Sequence, residues 1–332
     1  MKKTSAFLVA MPLTFLLAAP RAGAEPPALY RTVASVHWVV KDLDKVKAHW
    51  AKLGMPSLAD TGRATATAFR GRGETARLRA AVARFGSVDV VWLQPESGRS
   101  AFSEHLSRHG EGVFSINYTP ADAPAREAEV SRLGGIGVGV LQKLEIEVAG
   151  TRQSAVYLDT AAEGKYVVGL VEGALPAVTA APSVPFPAKL SQYALVVKSL
   201  DAVGEYWAKL GFPAMEVTHP GLTDLRHRGQ PGSFDQKLGW HRHGTITWEW
   251  IEPLRGPTVY QEFLDRHGEG FHHFAFDVPD MDAAIAAWEK LGAKSIQSGG
   301  WGETGKPGSG RFAYAETDSP GGVTIELLWN HR

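Results

Sequence analysis

Three segments of the chain share one pattern of hydrophobic and polar positions. Each opens with a short β-branched run, passes through Asp or Ser into apolar residues at helical spacing, and ends at a Leu-Gly pair. The opening runs predict strands over residues 33–40, 192–197 and 273–278. The apolar positions that follow predict helices: Leu43, Val46, Trp50 and Leu53; Leu200, Val203, Trp207 and Leu210; Met281, Ile285, Trp288 and Leu291. The glycine after each set is expected to end its helix: Gly54, Gly211 and Gly292.

Two landmarks occur twice at nearly the same separation. VVKDLDKVKAHWAKLGMP, residues 39–56, matches VVKSLDAVGEYWAKLGFP, residues 196–213, at an offset of 157, and RHGEG recurs from Arg108 to Arg266 at an offset of 158. This spacing indicates a duplicated module of about 150 residues. Further strands are predicted over residues 237–243, 245–251, 311–315 and 323–328, so each module is expected to hold two βαβββ units.

The first 24 residues have the features of a signal peptide. Lys2 and Lys3 precede an apolar run over residues 6–19, and Ala22-Gly23-Ala24 has the small-x-small pattern of a cleavage site. We therefore expect cleavage after Ala24 and a periplasmic or secreted product. The expected organisation is module 1 over residues 30–173, a Pro/Ala-rich linker over 174–189 and module 2 over 190–332.

The composition argues against several classes of function. The chain has no cysteine, which excludes disulfides, thiolate metal sites and a cysteine nucleophile. Its 35 basic and 35 acidic residues balance, and no basic run follows the signal segment, which argues against nucleic acid or a membrane as partner. No later apolar run approaches the length of a membrane span. The expected partner is a small molecule.

A βαβββ unit that is paired and then duplicated resembles the vicinal oxygen chelate superfamily. This group includes glyoxalase I, methylmalonyl-CoA epimerase, extradiol dioxygenases and the bleomycin and fosfomycin resistance proteins. The motifs that carry the resemblance are VVKDLD, VVKSLD, EGFHHFAFDVPDMD and SPGGVTIELLW. The resemblance implies an α+β fold of two tandem modules, each with two βαβββ units that form a cup-shaped, mostly antiparallel sheet.

In that superfamily the metal ligands come one from each of four strands that line the cup. Carried over position by position, the resemblance gives a donor at all four places in module 2: Gln192, Glu249, His273 and Glu326. The matching places in module 1 do not form a ligand set: Ser35, Val91, Ser115 and Gly169. The resemblance therefore implies a structural first module and one divalent ion in the second.

The implied ligand set combines a carbonyl oxygen, an imidazole and two carboxylates, which suits Zn, Ni, Mn, Co or Fe. It is most similar to that of glyoxalase I. In the similar isomerases a Glu on the metal removes a proton from a substrate chelated through vicinal oxygens, forming an enediolate. Glu326 and Glu249 are the candidate bases here, and the expected activity is that of an isomerase or lyase.

Two alternatives stay open at this stage. Extradiol-type non-haem iron dioxygenases also have a first module without metal ligands and a second module that binds the metal. Their ligands, however, are two His and one Glu. A metal-free binding protein of the bleomycin-resistance type is the other. The paired modules are compatible with a monomer or a homodimer.

Several further residues are candidates for the neighbourhood of the site. Strand alternation predicts that His272 points away from His273, to the opposite face of the sheet. The RHGEG turn is expected to be structural, because it occurs in both modules. The residues that we predict to line the substrate pocket are Trp240, His241, His243, Asp277 and Trp301.

Overall fold

The computed structural model describes residues 25–178, 190–243 and 246–331. The predicted signal peptide and most of the predicted linker lie outside this part of the chain. Strands dominate the described residues and form two separate sheets with few helices, which confirms the predicted α+β class. None of the described helices combines the length and apolar character needed to span a membrane.

The first sheet is a closed barrel of eight strands in the order β1-β4-β3-β2-β6-β7-β8-β5. Its strands are β1 (Ser35–Val39), β2 (Gly62–Thr67), β3 (Thr75–Phe85), β4 (Val88–Ser97), β5 (Gly112–Tyr118), β6 (Val140–Val148), β7 (Thr151–Leu158) and β8 (Val167–Gly173). Its helices are α1 (Leu43–Lys52), α2 (Ala101–His109), α3 (Ala123–Gly134) and α4 (Ala161–Gly164).

The second sheet has ten strands in the order β10-β13-β14-β9-β15-β18-β17-β16-β11-β12. They are β9 (Leu190–Val196), β10 (Glu216–Thr218), β11 (Leu222–His227), β12 (Gln230–Pro231), β13 (Asp235–His243), β14 (Ile246–Arg255), β15 (Gly270–Asp277), β16 (Ser295–Trp301), β17 (Gly310–Ala315) and β18 (Thr324–Asn330). Its helices are α5 (Leu200–Lys209), α6 (Val259–His267) and α7 (Met281–Lys290).

The three helices predicted from the repeated pattern begin and end as their sequences indicate. Each starts at a side chain that accepts a hydrogen bond from the backbone N–H three residues later: Asp42, Ser199 and Asp280. The glycines that follow their last turns have φ values of 89°, 95° and 92°, a region that favours glycine: Gly54, Gly211 and Gly292.

The two sheets have the same strand order but differ at one place. In the barrel, β2 pairs with both β3 and β6 and so closes the sheet. In the second sheet the equivalent segment is divided, because β10 pairs with β13 whereas β11 pairs with β16. The break at residues 219–221 leaves the second sheet as a curled half-barrel. The architecture thus matches two tandem cup-shaped modules.

A large apolar core joins the two modules. Phe85 of β3 stacks on Phe274 of β15, and Tyr166 stacks on Trp207 of α5, with ring centroids 4.8 and 4.6 Å apart. These rings belong to one continuous cluster of buried residues, while the inside of each sheet holds its own smaller cluster. The modules therefore share one hydrophobic interface on their outer faces and keep separate interiors.

The two RHGEG turns tie each module to the other. Glu111 accepts hydrogen bonds from the backbone N–H of Lys41 in its own module and of Gly321 in the second. Glu269 accepts correspondingly from the N–H of Lys198, and its other oxygen lies 2.9 Å from Nζ of Lys165 in module 1. Both Glu side chains are used in this interface, which agrees with a structural turn.

Candidate metal centre

Strand register brings the four predicted ligand positions to the inner face of the second sheet. Ala194 on β9 is directly opposite Glu249 on one side and His273 on the other. Ala275 on β15 is opposite Gln192 and Glu326. Directly paired residues share a sheet face, and so do residues two apart on one strand. All four side chains therefore start from the same face, around two small alanines.

Three of these side chains converge. Single ligand atoms of Glu249, His273 and Glu326 all lie within 4.8 Å of one another. Nε2 of His273 is 3.1 Å from Oε2 of Glu326 and 3.6 Å from Oε2 of Glu249. The three residues are 6%, 0% and 4% exposed in the order Glu249, His273, Glu326. The cluster is thus a buried group with two carboxylates around one imidazole.

Two buried oxygens of this group have no hydrogen-bond partner among the described residues. They are Oε2 of Glu249 and Oε1 of Gln192. A buried polar oxygen without a partner is costly, and a buried carboxylate more so. Both atoms are of the hard type that binds divalent cations.

The pKa values reflect the accumulation of negative charge. Burial raises the pKa of the Glu249 carboxyl, and the nearby Glu326 carboxylate raises it further. Burial disfavours the imidazolium of His273, but the Glu326 and Glu249 carboxylates outweigh this effect and raise its pKa to about 9. The two carboxylates therefore favour a positive charge beside the His273 imidazole.

The residues fit a divalent cation. Such an ion would replace the proton on His273, neutralise both carboxylates and give the two orphaned oxygens a partner. Glu249, His273 and Glu326 could hold it directly. Gln192 offers its carbonyl oxygen from the neighbouring strand. This donor set contains no sulfur and one nitrogen, and so suits a hard or borderline metal.

The same positions of module 1 are filled by a hydrogen-bonded cluster. Asn117 and His37 stand where module 2 has Ala275 and Ala194. Asn117 donates to Ser35 Oγ at 3.1 Å and accepts from Ser115 Oγ at 2.9 Å, while His37 Nδ1 is hydrogen-bonded to the Tyr157 hydroxyl.

The position that matches Glu326 has no room for a side chain in module 1. A Cβ atom on Gly169 would lie 2.0 Å from Oδ1 of Asn117. Asn117 therefore occupies the space where a carboxylate ligand would enter. In module 2, Ala194 and Ala275 lie beside the ligand positions. In module 1, the larger polar residues His37 and Asn117 take the places of these alanines, and the ligand positions beside them hold small residues.

The prediction that His272 points away from His273 is wrong. A β-bulge lies between Phe271 and His273, so His272 has no partner on β9 and the alternation of faces is interrupted. The rings of His272 and His273 both contact Tyr314, at centroid distances of 6.0 and 4.9 Å. His272 is only 3% exposed and lies beside the candidate ligand rather than behind the sheet.

The structure places the predicted pocket residues on different faces of the second sheet. Trp240 is opposite Glu249 on β13 and shares the inner face. His241 is opposite Trp248, and its ring packs near Phe212 and Trp250 on the outer face, so the prediction that it lines the pocket is wrong. Its neighbour Trp240 takes the inward position because successive strand residues alternate.

The other three pocket residues lie near the rims. Trp301 ends β16 and packs against the inner cluster. Asp277 ends β15 opposite Leu328, two residues beyond Ala275 and on the same face of the sheet. His243 ends β13, and its side chain is outside what the structure describes.

The sequence predictions missed two tyrosines at the site. Tyr314 on β17 is opposite Glu326, and its hydroxyl lies 2.7 Å from that of Tyr260 on α6. Burial raises the pKa of both hydroxyls well above the usual value, so they stay neutral. Tyr314 repeats Tyr157 at the module offset of 157, a signal that an exhaustive comparison of the two modules would have found.

Comparison with known families gives one match. Residues 191–314 match the family described as Glyoxalase/Bleomycin resistance protein/Dioxygenase superfamily. The matched range contains Gln192, Glu249 and His273 and stops before Glu326. No significant match to a curated protein is found.

Solved structures with a similar fold have low sequence identity to this chain. A triple mutant of 4-hydroxymandelate synthase from Streptomyces coelicolor is 17% identical, with a TM-score of 0.59 over 92% of this chain and 93% of that one. A xylose isomerase-like TIM barrel/4-hydroxyphenylpyruvate dioxygenase fusion protein is 13% identical, with a TM-score of 0.51 over 93% and 50%. The Mn(II)-bound glyoxalase from Novosphingobium aromaticivorans is 16% identical, with a TM-score of 0.48 over 91% and 83%. The first two likenesses, at such low identity, establish the fold alone.

Proposed function

We propose that this chain is a divalent-metal-dependent enzyme of the glyoxalase and epimerase type, because residues 191–314 of its second module match the Glyoxalase/Bleomycin resistance protein/Dioxygenase superfamily. The proposed reaction is an isomerisation or lyase step on a small substrate that presents two neighbouring oxygens. The observation that carries the proposal is the buried convergence of Glu249, His273 and Glu326, with Gln192 Oε1 orphaned on the same face.

A bound divalent ion would act as a Lewis acid on both substrate oxygens and acidify the C–H bond beside them. Gln192, Glu249, His273 and Glu326 would bind the ion. Glu249 is the better candidate for the base, because its Oε2 makes no hydrogen bond whereas Oε2 of Glu326 is hydrogen-bonded to Nε2 of His273. In this role the Glu249 carboxylate takes the substrate proton and returns it to a neighbouring carbon.

The walls of the site suit this chemistry. Tyr314, Tyr260 and the inner cluster of apolar side chains surround the carboxylates. Such walls exclude water and strengthen electrostatic effects inside the cup. Trp240 shares the inner face and contributes an aromatic surface for the carbon part of a substrate.

The ligand composition favours an isomerase or lyase over a non-haem iron dioxygenase. The facial triad of such oxygenases has two histidines and one carboxylate, whereas the converging group here has one histidine and two carboxylates. His272 is not among the side chains whose ligand atoms converge.

Metal analysis of purified variants tests the proposal. We expect one divalent ion per chain in the wild type and loss of that ion in Glu326→Ala and Glu249→Gln. Glu145→Ala is the matched control, because Glu145 is an exposed strand residue of module 1, and it should keep the ion. Absence of stoichiometric metal from the wild type, or unchanged metal content in Glu326→Ala, would refute the proposal.

Two further assays separate the alternatives. Consumption of oxygen with catechol-type substrates under ferrous conditions would instead indicate a dioxygenase. Tight binding of a ligand that survives a chelator, without turnover, would indicate a binding protein of the bleomycin-resistance type. The proposed isomerase or lyase predicts neither.

We also propose that the enzyme is exported and acts in the periplasm or outside the cell as a monomer or homodimer. The support for export is the sequence of residues 1–24 alone. N-terminal sequencing of the mature protein should begin at Glu25, and an uncleaved N-terminus on protein recovered from the cytoplasm would contradict export.

A further inference from the structure

We infer that His272 is a positioning residue for His273, which it holds in the one tautomer that leaves Nε2 free to bind a metal. This inference rests on the proposed metal-dependent function. His272 would not touch the ion or the substrate. Its effect would pass through a single hydrogen bond to its neighbour in the chain.

The hydrogen bond joins two atoms of the same type. Nδ1 of His272 lies 2.8 Å from Nδ1 of His273. Adjacent strand residues normally point to opposite faces and cannot form such a contact. The β-bulge at His272 makes it possible, because this residue has no partner on β9 and turns toward the same side as His273.

The proton positions follow from the geometry. Nε2 of His273 faces the Glu249 and Glu326 carboxylates and is the nitrogen available to an ion. A metal-bound imidazole carries its remaining proton on the other nitrogen, which here is Nδ1. Since one of two hydrogen-bonded nitrogens must donate and the other accept, His273 Nδ1 donates and His272 Nδ1 accepts. His272 is therefore neutral, with its proton on Nε2.

The surroundings of His272 fix its ring. Its ring makes T-shaped contacts with Phe263 and Tyr260 of α6 and with Tyr314 of β17, at centroid distances of 5.0, 5.6 and 6.0 Å. His272 also lines a cavity of about 40 Å³ bordered by polar groups that include Thr324 and Glu262. That volume accommodates a water molecule.

Module 1 provides an internal comparison. Its matching bulge lies where Val113 and Ser115 pair with β1 and Phe114 between them does not. Phe114 packs on Phe102 and Tyr157, the counterparts of Tyr260 and Tyr314. The fold therefore accepts a phenyl ring at this position. The histidine is found in the module that has the ligand set, which points to a role for its nitrogen rather than its bulk.

Two substitutions separate the nitrogen from the bulk. His272→Phe copies module 1 and removes the acceptor, and we expect Mn²⁺ to bind about 10–100-fold more weakly, as is typical when a ligand's hydrogen-bond partner is lost. His272→Asn is the matched variant, because Oδ1 of Asn can occupy the place of Nδ1 and accept the same hydrogen bond. It should restore most of the affinity. Thermal unfolding in the presence of a chelator checks that both variants fold.

The measurements are the Mn²⁺ dissociation constant and the ¹⁵N chemical shifts of the metal-free protein. For the wild type we expect an unprotonated Nδ1 and a protonated Nε2 on His272. Equal Mn²⁺ affinity in His272→Phe and wild type, or a protonated Nδ1 on His272, would overturn the inference. Failure of the wild type to bind any divalent ion would refute the proposed function instead, and the ¹⁵N shifts would still decide the tautomer.

Discussion

His109 and His267, the histidines of the two RHGEG turns, are hydrogen-bonded to each other's backbone. Nδ1 of His109 lies 2.8 Å from the carbonyl oxygen of His267, and Nδ1 of His267 lies 2.6 Å from the carbonyl oxygen of His109. The contact is reciprocal, as expected for two copies related by a local two-fold axis. It explains why the turn is duplicated although only one module has a ligand set.

Replacement of these histidines should weaken the protein without affecting the metal centre. His109→Ala and His267→Ala each remove one hydrogen bond, so each should lower the free energy of unfolding by about 0.5–1.5 kcal/mol. Urea denaturation measures this loss. His219→Ala is a control, because His219 is more than half exposed and contacts Asp235 of its own module; it should change stability by less than about 0.5 kcal/mol. A selective loss of metal in His109→Ala would contradict the structural role of the turn.

In module 1 the Asn117 side chain fills the space beside Gly169, so the effects of substitutions at these two positions should depend on each other. Gly169→Ala introduces a Cβ at 2.0 Å from Oδ1 of Asn117 and should cost about 1–3 kcal/mol of stability through overpacking. In an Asn117→Ala background the added methyl has space, so most of that cost should disappear. A double-mutant cycle from denaturant unfolding measures the coupling. Additive effects of the two substitutions would show that Asn117 does not fill this space.

Stability should decrease as the pH falls below about 6.5, because His37, which is buried, and His105, which is partly buried, stay neutral in the folded protein. Burial lowers the pKa of His37 and of His105 from 6.5 to about 3. A histidine with a depressed pKa in the folded state binds its proton only on unfolding, so its contribution is full above pH 6.5 and is lost between pH 6.5 and 3. Each such group contributes a slope of about 1.4 kcal/mol per pH unit in that window.

The slope can be assigned by substitution. Between pH 6 and pH 4, the unfolding free energy of His105→Gln should change less steeply than that of the wild type, by about 1.4 kcal/mol per pH unit. Unfolding in urea at a series of pH values gives this slope. Identical slopes in the two proteins would mean that His105 is protonated in the folded state.

The metal-free site should be destabilising in itself. Glu249→Gln removes one of two buried carboxylates next to a single imidazole, so it should stabilise the metal-free protein by about 1 kcal/mol or more. The same variant should lose the stabilisation that Mn²⁺ gives the wild type. Thermal unfolding with a chelator and with Mn²⁺ measures both effects. A lower melting temperature of Glu249→Gln under both conditions would contradict this account.

Repeats and spacing predicted much of the fold from the sequence. The three amphipathic helices followed from apolar residues at helical spacing, whereas the positions of Glu249, His273 and Glu326 were implied by the resemblance to the vicinal oxygen chelate superfamily. His272 and the division between β10 and β11 could not be predicted, since a bulge or a break changes which face a side chain takes without changing the composition. Asn117 was missed for another reason: it blocks the module 1 site from a position two residues beyond the matching ligand position.

The most direct test of the central claim is the anomalous scattering of a crystal grown with Mn²⁺. We predict a single anomalous peak per chain, inside the second sheet, at about 2.0–2.3 Å from Glu249, His273 and Glu326 and with Gln192 as the fourth protein ligand. A well-ordered crystal without a peak there, or with its strongest peak inside the barrel of module 1, would contradict the assignment of the site.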